Sequence, residues 1–195
     1  MIEIVRAASE LQQFCAHQEW RFCFIGGLAL QRWGEPRETV DVDMTLLTGF
    51  GGEENYAGVL LQHFEPRIEG ALDFALSHRV LLLRARSGVG LDIALGALPF
   101  EQLVIERSSF FAYPGGPELR TCSAEDLIVL KAFADRGKDW LDVEGVMIRQ
   151  TGRLDWADYP DGGIDDNNWW KILAVGKAGA RKDARSGLCP GEQHL

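Results

Sequence analysis

The segment Val40-Asp41-Val42-Asp43-Met44 alternates apolar and acidic side chains. A strand sends successive side chains to opposite faces, so it sorts this series cleanly. Val40, Val42 and Met44 then turn to a core, and Asp41 and Asp43 share the other face. Two carboxylates on one strand face repel each other and add nothing to the strand by themselves. A divalent ion with a taste for hard oxygen ligands removes that repulsion. Acids on a solvated strand face are the competing explanation, and so short a motif does not decide between them.

The surroundings add to the pair. Leu91-Asp92-Ile93-Ala94-Leu95 is an apolar strand with one acid in it, and Asp92 faces away from Leu91, Ile93 and Leu95. An acid in so apolar a run needs a partner. A metal shared with Asp41 and Asp43 supplies one; an edge strand facing solvent is the alternative. Upstream, Gly26-Gly27 breaks the apolar strand 21–25 from a short helix, Leu28 to Trp33, that Gly34 and Pro36 end. Glycines at such a turn let backbone N–H groups approach phosphate oxygens, and a helix N-terminus favours the negative charge. An ordinary turn is the plain alternative. Arg37 and Thr39 precede the aspartates at alternating positions. Arg37 suits either a phosphate contact or the surface.

The rest of the chain reads as an α/β protein. Helices are expected at 6–19, 53–64 and 99–107, and strands at 40–47, 78–85, 91–95, 108–112 and 118–121. From Ser123 helices replace strands. Ser123-Ala124-Glu125-Asp126 is a capped helix start, that helix runs to about Arg136, and another spans about Lys138 to Gln150. We therefore expect a core at 1–121, a helical region at 122–157 and an irregular, poorly ordered tail at 158–195, with a short helix at Trp169 to Val175. No further long amphipathic helix is legible after about Tyr159. Natural variation and a C-terminus altered by a reading-frame change both account for that.

Composition excludes some functions. The net charge of −9 speaks against wrapping a long nucleic acid, whose backbone needs Lys and Arg to neutralise it. A small nucleotide, or a nucleic-acid end met by a local basic patch, stays open. No apolar run approaches the ~18 residues of a membrane span, and no signal sequence opens the chain, so a cytoplasmic protein without membrane partners is expected. Cys15, Cys23, Cys122 and Cys189 are scattered and read as reduced structural thiols. His17, His63, His78 and His194 form no usable pair, and the six tryptophans suit core and rim.

Taken together, Ile25-Gly26-Gly27, Asp41-Val42-Asp43-Met44 and the strand bearing Asp92 resemble the nucleotidyltransferase superfamily of polymerase-β-like fold. The segment 123–142, Ser-Ala-Glu-Asp-Leu-Ile-Val-Leu-Lys-Ala-Phe-Ala-Asp-Arg-Gly-Lys-Asp-Trp-Leu-Asp, is similar to the helical region of the AbiEii/AbiGii-type branch, which includes toxins of toxin–antitoxin pairs; Arg37 to Asp43 is also similar to that group. The resemblance spans about residues 20–145.

It implies a mixed sheet with flanking helices, and transfer of a nucleoside monophosphate from a nucleoside triphosphate, ATP among them, to a hydroxyl. The acceptor would be an RNA end, a protein or a small molecule, and a cognate antitoxin would be a partner. Asp41, Asp43 and Asp92 would be the catalytic acids, holding two magnesium ions (or manganese) by two-metal logic, with Asp92 also helping to deprotonate the acceptor. Gly26, Gly27, Arg37, Thr39, Lys131 and Asp139 would bind the nucleotide. Lys131 falls beside the apolar stripe of Leu127, Ile128, Leu130 and Ala134. It either reaches the phosphates or lays its stem along apolar surface. Asp139 and Asp142 share a helix face; Asp139 is expected to support Lys131 or Arg136. Two rival functions stand beside this one. One is a non-catalytic, nucleotide- or partner-binding member of the same fold. The other is an Asp-x-Asp glycosyltransferase, which needs no Gly-Gly turn.

Overall fold

A seven-stranded mixed sheet with helices on both faces forms the body of the computed structural model, which describes residues 2–157 and Tyr159. The expected tail therefore lies outside the described residues except for Tyr159. In chain order the elements are α1 (Ile2–His17), β1 (Phe22–Phe24), α2 (Gly26–Trp33), β2 (Asp41–Leu47), α3 (Glu53–Leu61), β3 (Glu65–Pro66) and α4 (Ala71–His78). There follow β4 (Val80–Arg84), β5 (Gly90–Gly96), α5 (Pro99–Glu106), β6 (Ser109–Ala112), β7 (Glu118–Thr121), α6 (Ala124–Ala134) and α7 (Gly137–Arg149). The sheet order is β3-β4-β5-β2-β1-β7-β6, with β2 and β5 parallel at its centre.

Alternation in the central strands separates a dry face from a chemical one. Val42, Met44 and Leu46 of β2 and Leu91, Ile93 and Leu95 of β5 are buried in one apolar cluster with residues of α1, α3 and α4. The other side of the sheet is covered over β1 by α5, α6 and α7, whose Val104, Leu127, Ile128, Val143 and Val146 pack with Cys23, Ala29 and Leu30. Asp41, Asp43 and Asp92 lie on this second side, beyond the edge of that helical cover. Burying the large aliphatic side chains on both faces, at about 1.5–3 kcal/mol each, holds the central strands rigidly enough to fix the carboxylates they carry.

Several expectations need correction. The first helix starts at Ile2 rather than residue 6, because Ile4 and Val5 are buried against the core. Residues 65–77, left unassigned by the sequence, hold β3 and α4, and His78 ends α4 rather than opening a strand. Helix α3 stops at Leu61, short of Phe64, so that the chain can enter β3 and pair with β4. Val40 is 69% exposed and does not belong to the apolar face of β2. Strand β5 is an interior strand between β4 and β2, which removes the edge-strand explanation of Asp92.

The Ser123 cap forms as expected: its hydroxyl accepts from the Asp126 N–H at 3.0 Å. Cys15, Cys23 and Cys122 are free and buried. Burial pushes the thiols of Cys15 and Cys23 up to about 12, which suits structural thiols; Cys189 lies outside the described residues. No helix among the described residues is long and apolar enough to cross a membrane.

Candidate active site

Register brings the acids together. In the parallel pair β2–β5, Asp43 stands opposite Asp92 and Asp41 opposite Gly90. All three carboxylates line one side of a cavity of about 360 Å³. Burial raises the Asp43 carboxyl above its usual range, with a smaller push from Asp41, and the Gly27 N–H and Lys131 pull the other way. Asp92 is raised for the same reason; Arg67 offsets part of it, and Asp41 and Asp43 add to it. Desolvated like charges on adjacent strands give a face that calls for positive charge.

The Gly26-Gly27 pair is the first turn of α2 rather than a turn before it. Ile25 is its extended N-cap, and Gly26 takes φ +55. The helix leans on the acids: the Ile25 N–H donates to the Asp43 carbonyl at 3.0 Å, and the Gly27 N–H donates to Asp43 Oδ2 at 3.4 Å. A methyl group at Gly26 would overlap the Asp43 carboxylate, and one at Gly27 would overlap the Thr39 side chain. The glycines are therefore needed for the approach of Asp43 and Thr39 as well as for any ligand at the helix end. Thr39 in turn donates from Oγ1 to the Asp41 carbonyl at 3.1 Å.

The opposite wall of the cavity is cationic. Lys131, at the buried end of α6, is 6% exposed. Its Nζ is held by Asp139 Oδ1 at 2.9 Å and Asp142 Oδ2 at 2.8 Å. Arg37 makes a two-pronged bond to Asp142, from Nε at 3.0 Å and Nη2 at 2.9 Å. Arg136 donates to both oxygens of Asp139, at 2.5 and 3.2 Å. Three cations share two carboxylates, so the network keeps an excess positive charge. Arg37, Lys131 and Arg136 line the cavity, together with Lys138 and, on the apolar side, Ile25, Leu127, Leu130 and Ala134. Asp135, in the left-handed conformation at φ +50, turns the chain between α6 and α7 so that the acids of α7 face Lys131.

Most of the expected site residues thus converge. Gly26, Gly27, Arg37, Thr39, Asp41, Asp43, Asp92 and Lys131 all line the one cavity. Asp139 does not: it is fully buried behind Lys131 and Arg136. Asp142, which the sequence left aside, supports Lys131 as fully as Asp139 does. Arg67 was missed altogether. Its Nη1 donates to Asp41 Oδ1 at 3.2 Å, and its Nη2 pairs with Asp92 Oδ1 at 2.6 Å. Arg67 lies in a stretch without clear periodicity, and only the β3–β4 pairing reveals its place.

The donor set suits a hard divalent cation, since it consists of carboxylate oxygens on one rigid face. As they stand, however, no three acids, histidines or cysteines among the described residues gather into a ready ligand cluster. Arg67 holds Asp41 and Asp92 instead.

Comparison with known proteins bears on both fold and family. A family model described as "Nucleotidyl transferase AbiEii toxin, Type IV TA system" matches residues 11–149. No curated protein matches the chain. An antigenic nucleotidyltransferase-like protein from Paracoccidioides brasiliensis shares the fold at 18% identity and TM-score 0.55, over 94% of this chain and 91% of that one. The antibiotic-resistance factor ANT(2'')-Ia matches at 14% identity and TM-score 0.50, over 93% of each chain. At such identities the two likenesses speak for the fold alone.

Proposed function

The chain belongs to the AbiEii nucleotidyltransferase toxin family, and from that premise we propose that it moves a nucleoside monophosphate from a nucleoside triphosphate to a hydroxyl acceptor, with magnesium held at Asp41, Asp43 and Asp92. Nucleotidyl transfer is the family's activity; the metal, the residue roles and the acceptor class are our reading. The observation that carries it is the cavity itself, with three carboxylates on one wall and the Arg37–Lys131–Arg136 cluster on the other. An anion with its own cations fits between such walls, and a metal–triphosphate complex is one.

In this reading Lys131 and Arg37 attract the phosphates, and the acids behind them fix where their charges sit. Preorganised charge of this kind is what lowers the barrier in phosphoryl and nucleotidyl chemistry. Divalent ions at Asp41, Asp43 and Asp92 would neutralise the triphosphate and stabilise the attacking and leaving oxygens. The acceptor oxygen attacks the α-phosphorus, the bond to pyrophosphate breaks, and the hydroxyl proton passes to Asp92. Gly26 and Gly27 flank the phosphates at the N-terminus of α2, a position that favours negative charge. The apolar side chains of Leu127, Leu130 and Ala134 offer the base a dry surface. The core (1–121) then carries the acids, and the helical region (122–157) closes the nucleotide cleft.

We place the protein in the cytoplasm as the toxin of a toxin–antitoxin pair, with an RNA end, a protein or a small molecule as acceptor. Incubation with each α-labelled nucleoside triphosphate, magnesium and a cell extract tests the reading. Label on one class of macromolecule or small molecule supports it, and no transferred label from any of the nucleotides overturns it.

A further inference from the structure

Arg67 occupies a place that the proposed mechanism does not use. Its backbone N–H donates to the Leu82 carbonyl at 3.0 Å, which carries the β3–β4 pairing one residue past Pro66. Leu82 is in register with Asp92, and Asp92 with Asp43. Arg67, Leu82, Asp92 and Asp43 therefore form one row across four strand positions. Residues in one cross-strand row point to the same face of a sheet. The Arg67 side chain crosses over Leu82 and ends between Asp92 and Asp41.

The surroundings are shaped for that guanidinium. A methyl group at Gly90 would overlap both Asp41 Oδ1 and Arg67 Nη1, so the glycine opposite Asp41 leaves the space that the pair fills. The Arg67 side chain is only 25% exposed. Arg67 is not part of the cavity wall; it reaches the acids from the flank, away from the Lys131 cluster. The guanidinium thus meets the need for positive charge on the carboxylate face, and uses two of the three acids to do so.

We propose that Arg67 is a built-in competitor of the divalent cation: it holds Asp41 and Asp92 and so lowers the affinity of the carboxylate face for metal. The proposal rests on the reading of that face as a metal site. Two cations cannot both take the same carboxylate oxygens at short range, because at a few ångströms in a half-buried site like charges repel strongly. Loading the site therefore requires the guanidinium to withdraw. The consequence is a site that binds metal poorly alone.

Manganese titration of the full chain without nucleotide, following free manganese by electron paramagnetic resonance, tests this apart from turnover. Arg67→Met removes the competitor, and Arg67→Gln repeats the test if the methionine variant folds poorly. Arg6→Met is the control, since it removes the same net charge from an exposed position on α1, which packs on the other face of the sheet. We expect Arg67→Met or Arg67→Gln to bind manganese at least about 10-fold more tightly than the unaltered chain, and Arg6→Met to change affinity less than about 2-fold. Saturable binding of equal strength in the unaltered chain and both Arg67 variants overturns the inference while leaving the metal site standing. Binding that does not depend on Asp43, tested with Asp43→Asn, overturns the metal site and the inference together.

Discussion

Asp43 and Asp92 stand directly opposite each other on the parallel strands β2 and β5, with both carboxyls raised above their usual range by burial. Parallel neighbours buried on one face by Val42, Met44, Leu91 and Ile93 cannot slip in register without driving acids into the core. The acid pair is thus positioned by packing on the far side of the sheet. Removing one acid should leave the fold intact. Asp43→Asn and Asp92→Asn are expected to cut transfer by more than about 100-fold, with thermal melts as high as or higher than the parent's, because the burial penalty of a carboxylate, and with it a smaller like-charge repulsion, is relieved. Melting curves paired with a transfer assay check both halves.

Lys131 is expected to behave differently. It is buried against Asp139 and Asp142, and taking it away leaves two buried acids with less compensation. Arg136 and Arg37 remain to each of them, so Lys131→Met should cost up to about 3 kcal/mol in denaturant melts as well as weaken nucleotide binding. Adding Asp139→Asn to Lys131→Met should restore part of the stability and none of the binding. Stability unchanged by Lys131→Met would contradict the network.

Acid should loosen the same network. Burial raises the carboxyls of Asp139 and Asp142, but hydrogen bonds outweigh it, from Arg136 and Lys131 on the first and from Arg37 and Lys131 on the second, so both lie below the ordinary range. A carboxyl lowered by folding adds stability above its unfolded value, ~3.9, and loses it as pH falls through the folded value. Urea melts should therefore show stability held from neutral pH to about 4 and lost below. The Asp142→Asn variant should show a shallower loss, and an unchanged slope would contradict the assignment.

The two glycines Gly26 and Gly49 both take positive φ, at +55 and +71. A methyl group at Gly49 meets nothing within 4 Å, whereas one at Gly26 overlaps the Asp43 carboxylate. Gly49→Ala should cost about 1–2 kcal/mol of backbone strain with activity kept. Gly26→Ala should lose activity as well, because Asp43 must move. Equal activity in the two variants would separate Gly26 from the site.

The parts of this site that were legible in the sequence are those carried by strand alternation. Asp41, Asp43 and Asp92 declare their face because their neighbours are apolar at every second position. Lys131 was legible as a cation beside an apolar stripe, with Asp139 as its support, but the part of Asp142 was not: Asp142 meets Arg37 across 105 positions of chain, a contact that only the packing of α7 against α2 creates. Arg67 left no local signal, since β3 is two residues long and owes its existence to pairing with β4. The helical start at Gly26 was hidden for a related reason. Glycine is a poor helix former, and its place there is set by the space that Asp43 and Thr39 take.

Whether the carboxylate face moves the nucleotidyl group is decided by comparing triphosphate labelled at the α-phosphate with triphosphate labelled at the γ-phosphate, using magnesium, cell extract, and the unaltered chain, Asp43→Asn or no added protein. Above the label that extract alone incorporates, an acceptor should be labelled from the α-position alone, and only with the unaltered chain. Added label arriving from the γ-position, or α-label transferred equally by Asp43→Asn, would rule this out.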